Sequence, residues 1–137
     1  MAMIRFFPLL LACAAAPLAA EEQSEREAVY DAMLSCAAFH TIESTYVTGN
    51  AAEAQLAVAY DFAETAAALA PDGLAATANS ALEAKLAQYR KQLDEGDVRE
   101  MAEDWTALES ACREIYPLLD AIGRSTKLDD KQASDGG

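Results

Sequence analysis

Three breaks, at Gly49-Asn50, Pro71-Asp72-Gly73 and Gly96-Asp97, cut an otherwise helix-patterned chain into four stretches of similar length. Glycine and proline are the strongest local punctuation, and each break here is followed by a new run of apolar residues at helical spacing. Four helices joined by connections this short place neighbours antiparallel, which predicts an all-α, up-down-up-down four-helix bundle. Alanine is abundant between the breaks and loses no side-chain entropy on entering a helix. Aromatic residues are 7% of the chain, too thin for a sheet-rich core.

The first helix is expected over residues 25–48, with Ser24 as N-cap and Glu27 completing a capping box. Its inward row is Val29, Met33, Cys36, His40 and Val47, with Tyr30, Leu34 and Ala37 alongside. The second is expected over 51–70, capped by Asn50 with Glu53 three residues on. Its row is Leu56, Tyr60, Ala63 and Ala67, widened by Val58, Phe62 and Leu69. The third covers 74–94 after an Asp72 cap and carries Leu74, Ala78, Leu82, Leu86, Tyr89 and Leu93. The fourth starts after Asp97, again with a glutamate, Glu100, three residues on. It should bury Val98, Met101, Trp105, Leu108, Cys112, Ile115, Leu119 and Ile122, with Pro117 kinking or ending its regular part. Residues 125–137 have no apolar period and read as a loose tail, so the folded domain is expected over 21–124.

The N-terminal twenty residues have the order of a secretory leader. Arg5 supplies a positive start, residues 6–16 are apolar apart from Pro8, and Pro17-Leu18-Ala19-Ala20 brings small residues to a cut after Ala20. The segment is too short and wrongly flanked to span a membrane. Leu10-Leu11-Ala12-Cys13 is the alternative, since it resembles the box before a lipid-modified cysteine. Only seven residues separate Arg5 from Cys13, however, and the apolar run continues to the later cut. The reading taken is a periplasmic or secreted protein of a bacterial envelope, with lipid anchoring at Cys13 as its alternative.

Loss of the leader leaves 117 of the 137 residues and removes Arg5, so the formal charge moves from −13 to −14. One compact domain fits that length. Such a surface repels phosphate backbones and anionic headgroups, which excludes nucleic acid and disfavours anionic membranes. The partners it admits are an unknown protein or a small cationic ligand.

With Cys13 gone, Cys36 and Cys112 are the one possible internal pair. Cys36 lies about 11 residues into the first helix, and Cys112 about 10 from the end of the fourth, spacings that put them level in adjacent antiparallel rods. The expected inter-helix disulfide is structural, since no Cys-x-x-Cys marks a redox pair.

The chain offers little for catalysis. His40 is the one histidine, expected to face the fourth helix near Leu108 with Asp104 and Glu109 in reach. His40 and Glu43, at i and i+3, form the weak candidate for a metal ligand pair, well short of a di-iron site. Haem is not expected: Cys-x-x-Cys-His is missing, and Met33 and Met101 are ill placed to join His40 as axial ligands. No nucleophile stands beside a base, and no glycine-rich phosphate loop exists. No cofactor and no enzymatic activity are therefore expected. A second stripe on the first helix, Phe39, Ile42 and Tyr46, is either further core or a partner-binding patch. The sequence thus points to a binding or accessory protein. The alternative is a metal or small-ligand carrier using His40 and nearby carboxylates.

Overall fold

A computed structural model describes residues 7–70 and 75–123, with side chains from Glu25 onward. The described residues are all-α, with four helices: α1 over Phe7–Glu43, α2 over Asn50–Leu69, α3 over Ala75–Glu95 and α4 over Val98–Ile115. Among the described residues no helix is long and apolar enough to cross a membrane. The 125–137 segment and the Asp72 cap lie outside the described residues, as does the side chain of Cys13.

The helix ends correct two expected caps. Helix α1 passes through Ser24 without a break, so Ser24 starts no helix in the uncut chain. Asn50 is already inside α2; the cap is Gly49, at φ 62° and ψ −136°, and it makes no side-chain cap hydrogen bond. That conformation is open to glycine, so the turn into α2 is set by backbone freedom rather than by a capping side chain. Asp97 caps α4 as expected, its carboxylate accepting from the Arg99 and Glu100 backbone amides. At the far end α4 stops at Ile115, and a 3-10 turn over Tyr116–Leu118 holds Pro117 before one more helical turn, residues 119–123.

Helix α1 is shorter at its C-terminal end than its apolar pattern implies. The hydroxyls of Ser44 and Thr45 bond back to the carbonyls of Thr41 and Ile42. Backbone amides of residues 44–46 likewise turn back onto His40, Ile42 and Glu43. Short hydroxyl side chains compete with helical hydrogen bonding in this way, and here they close the helix before Val47.

Seven consecutive residues of α1, from Met33 to Phe39, are buried. Seven residues are two full turns, so α1 is covered on every face there rather than presenting one inward stripe. It packs on α2, α3 and α4. Arg26 Nε donates to the Leu69 carbonyl at the end of α2, while His40 meets Gln55 near its start, so α1 and α2 run antiparallel. Lys85 of α3 reaches Asp31 of α1 at 2.8 Å.

One cluster of the core joins Met33, Leu34, Cys36, Ala37, Phe62, Ala66, Leu69, Cys112 and Leu119, and Phe39 and Ile42 are buried too. On α2 the buried face is Ala59, Phe62, Thr65, Ala66 and Leu69. Leu56 and Tyr60, expected to point inward, are 50% and 68% exposed. With alanine on every side of α2, the larger Phe62 and Leu69 decide which face turns in. Helix α4 is also shallower than expected. Cys112 is its one buried residue, Val98 is exposed, and Met101, Trp105, Leu108 and Ile115 are half-buried. Cys36 and Cys112 are joined by a disulfide with their Cα atoms 5.5 Å apart, tying this outer helix to the enclosed one.

Candidate functional site

The chemistry-bearing side chains gather where the last two turns of α1 meet α2 and α4. A helix turns about 100° per residue, so His40 lies about 40° past Cys36, while Glu43 falls back to within about 20° of it. Glu43, rather than His40, therefore stays in line with the disulfide and faces α4, where the Trp105 indole N–H donates to its Oε1. His40 is turned toward α2. Its Nδ1 is 2.6 Å from Gln55 Oε1, its ring stacks on Phe62 at 5.7 Å, and Phe39 meets it edge-on at 5.0 Å. The expected approach of His40 to Leu108 and Asp104 is thus replaced by contact with α2, and of the expected neighbours on α4 Glu109 is the one that borders the same cavity.

That cavity holds about 290 Å³ between α1, α2 and α4. Its polar groups are already committed within the protein. His40 holds Gln55, Glu43 holds Trp105, Arg113 pairs with Glu109 at 2.9 Å, and the Tyr116 hydroxyl donates to Asp61 Oδ2 at 2.9 Å. The Asp61 bond holds the Tyr116 phenol above its ordinary range, with burial and the charges of Asp61 and Asp120 acting in the same direction. Among the described residues no three histidine, cysteine or acidic side chains converge as metal ligands.

Trp105 also forms part of a second and larger cavity, of about 580 Å³, between α3 and α4. Its ring lies 4.7 Å from Phe39 and meets Tyr89 edge-on at 5.9 Å, so one side chain links α1, α3 and α4. Tyr89, Trp105 and Met101 give the cavity an aromatic and apolar wall, and Glu95, Glu100 and Asp104 edge it with carboxylates. Among the described residues these three carboxylates have no ion-pair or side-chain hydrogen-bond partner. Lys91 is the one basic residue on its lining.

The second stripe of α1 divides between core and surface. Phe39 and Ile42 are each 3% exposed and belong to the core, while Tyr46 is 69% exposed. Phe39 lies against Trp105 and α1 is enclosed at this level, so the stripe cannot serve as a continuous docking patch. Tyr46 emerges because it follows the end of α1. Sequence reasoning gave no site role to Gln55 or Trp105. Gln55 carries no pattern signal, and Trp105 read as one more inward apolar residue.

Comparison with protein families, curated proteins and solved structures finds no match to this chain.

Proposed function

We propose that this chain is an exported, non-enzymatic binding protein of the bacterial envelope that takes a cationic ligand in the cleft between α3 and α4. The observation that carries the reading is the juxtaposition of the Trp105 and Tyr89 rings with the carboxylates of Glu95, Glu100 and Asp104, which have no ion-pair partner among the described residues. Aromatic faces attract cations through the ring quadrupole, and unpaired carboxylates add charge without a competing internal partner. In this reading the leader is cut after Ala20, and residues 21–124 form an up-down-up-down bundle that works in the periplasm or outside the cell. The disulfide supports an oxidising setting.

The test uses Trp105, the one tryptophan of the chain, as its own reporter. Titration with tetramethylammonium or spermidine should change its fluorescence saturably, and Glu100→Gln with Asp104→Asn should abolish the change. An unresponsive wild type would overturn the ligand assignment. Intact mass of protein recovered from its native compartment tests the export reading separately: retention of residues 1–20 refutes it.

The alternative, a metal or small-ligand carrier, has in its favour that His40, Glu43 and Glu109 border one cavity. Among the described residues no three candidate ligands converge there, and His40 Nδ1 and Glu43 Oε1 are already bonded to Gln55 and Trp105, which places it second.

A further inference from the structure

Among the described residues, helix α2 leaves an apolar face without a partner. Leu56 and Tyr60, one turn apart, are 50% and 68% exposed. At 100° per residue they lie within about 60° of Ala63 and Ala67, so the four form one strip beside the buried face. Single exposed apolar residues are ordinary. Here two large ones share a strip built otherwise of alanine, and neither belongs to the core cluster of the described residues.

The charge on the strip's own helix is one-sided. Helix α2 carries Glu53, Asp61 and Glu64, and no lysine or arginine. Asp61 is engaged by the Tyr116 hydroxyl. Glu53 and Glu64 are exposed and lie on the wheel within about 40° of Tyr60. We infer that this face of α2 docks a basic amphipathic helix of another protein. Apolar residues of the partner at i, i+3 and i+4 cover Leu56 and Tyr60, and its flanking lysines or arginines meet Glu53 and Glu64. The two glutamates are about 16 Å apart along the axis, so the matching cations stand about three turns apart on the partner.

A second copy of this chain is the poorer occupant. Antiparallel pairing of two such faces sets Glu53 against Glu64 of the other copy at both ends, with no cation on α2 to offset either. Like charges brought into contact in this way oppose association. This docking site is distinct from the α3–α4 cleft, and it is read through different residues.

The experiment titrates the purified full chain with three synthetic helical peptides. One carries a leucine stripe flanked by lysines, one the same stripe flanked by glutamates, and one the lysines without the stripe. The first should bind, and the other two at least tenfold more weakly. Leu56→Ser with Tyr60→Ser should weaken the first peptide at least tenfold with helix content and melting unchanged. Glu53→Gln with Glu64→Gln should do the same and flatten the salt dependence. Binding of the first peptide that is indifferent to either double variant overturns the proposal. So does equal binding of the stripeless lysine peptide, which would mark bulk charge as the cause. A fall in melting temperature of the Leu56→Ser, Tyr60→Ser variant would make those residues core and overturn it too. Wild-type dimerisation abolished by that variant would assign the face to a second copy, again against the proposal.

Discussion

Glu43 accepts the Trp105 indole hydrogen bond seven residues after Cys36 on α1 and seven before Cys112 on α4. Equal steps in opposite directions fix these helices as antiparallel and in register over two turns, about 10 Å. The two links, one covalent and one polar, hold an outer helix whose remaining apolar residues are half-buried or exposed. Helix α4 depends on these two links more than on core burial.

Replacing both cysteines should therefore loosen α4 before anything else. The bridge spans 76 residues, for which chain entropy gives a stabilisation of up to about 4.5 kcal/mol. Cys36→Ser with Cys112→Ser should lower stability by a large part of that figure, also because two hydroxyls enter the core. Hydrogen exchange should quicken in α4 to a greater degree than in α2 and in α1 around Met33. Uniform loss of protection along the whole chain would refute the view of α4 as a tethered outer rod. In the wild type both sulfurs are essentially inaccessible, so reductant should act only as the protein unfolds.

The Glu43–Trp105 link can be isolated by a double-mutant cycle. A hydrogen bond to a charged acceptor contributes about 1.5–3 kcal/mol. Trp105→Phe keeps an aromatic ring beside Phe39 and Tyr89 but leaves the half-buried Glu43 carboxylate without its donor. Chemical denaturation of Trp105→Phe, Glu43→Met and the double variant should give a coupling energy above about 1 kcal/mol. Additive losses would mean the bond contributes nothing to holding α4.

Much of this architecture is legible in the residues, and the exceptions have physical causes. The three breaks, the Asp97 cap, the interruption at Pro117 and the Cys36–Cys112 pair all rest on local rules or on spacing, which do not depend on neighbours. Alanine supplies an apolar residue in every direction on α2, so period alone cannot choose between the Tyr60 and Phe62 sides. An i+4 step from Cys36 is not a straight line along α1: its extra 40° of rotation carries the His40 ring away from α4 to Gln55. The enclosure of α1 depends on three other helices at once, which no single-helix pattern encodes.

Glycines at two turns should resist substitution for different reasons. A Cβ on Gly96 would lie 2.5 Å from the Gln92 carbonyl oxygen and 2.7 Å from Met101 Cγ. Gly49 has open space but a φ of 62°. Gly96→Ala should cost about 1–3 kcal/mol, and adding Met101→Ala should not restore it, since the backbone oxygen stays in place. Gly49→Ala should cost about 1–3 kcal/mol through backbone strain alone. Thermal melts of the three variants check both; rescue by Met101→Ala would show the clash to be with the flexible side chain.

Two phenols act in the same direction at alkaline pH and should separate at neutral pH. The Tyr30 hydroxyl is buried without a hydrogen-bond partner among the described residues, and burial raises its pKa above the ordinary 10.0. The Tyr116 phenol is raised first by its bond to Asp61. A phenol whose folded pKa is raised stays protonated while the unfolded chain ionises, so the folded state then binds more protons. Folding stability is therefore insensitive to the ionisation of both groups below pH 10.0 and falls as pH rises above it. Tyr116→Phe should remove part of that alkaline loss and cost about 0.5–1.5 kcal/mol at neutral pH. Tyr30→Phe should also reduce the alkaline loss, yet at neutral pH it should be neutral or stabilising, because it deletes an unpaired buried hydroxyl. Denaturation of both variants across pH, with ultraviolet titration of the phenols, decides the matter: a marked neutral-pH loss in Tyr30→Phe would mean that its hydroxyl has a partner after all.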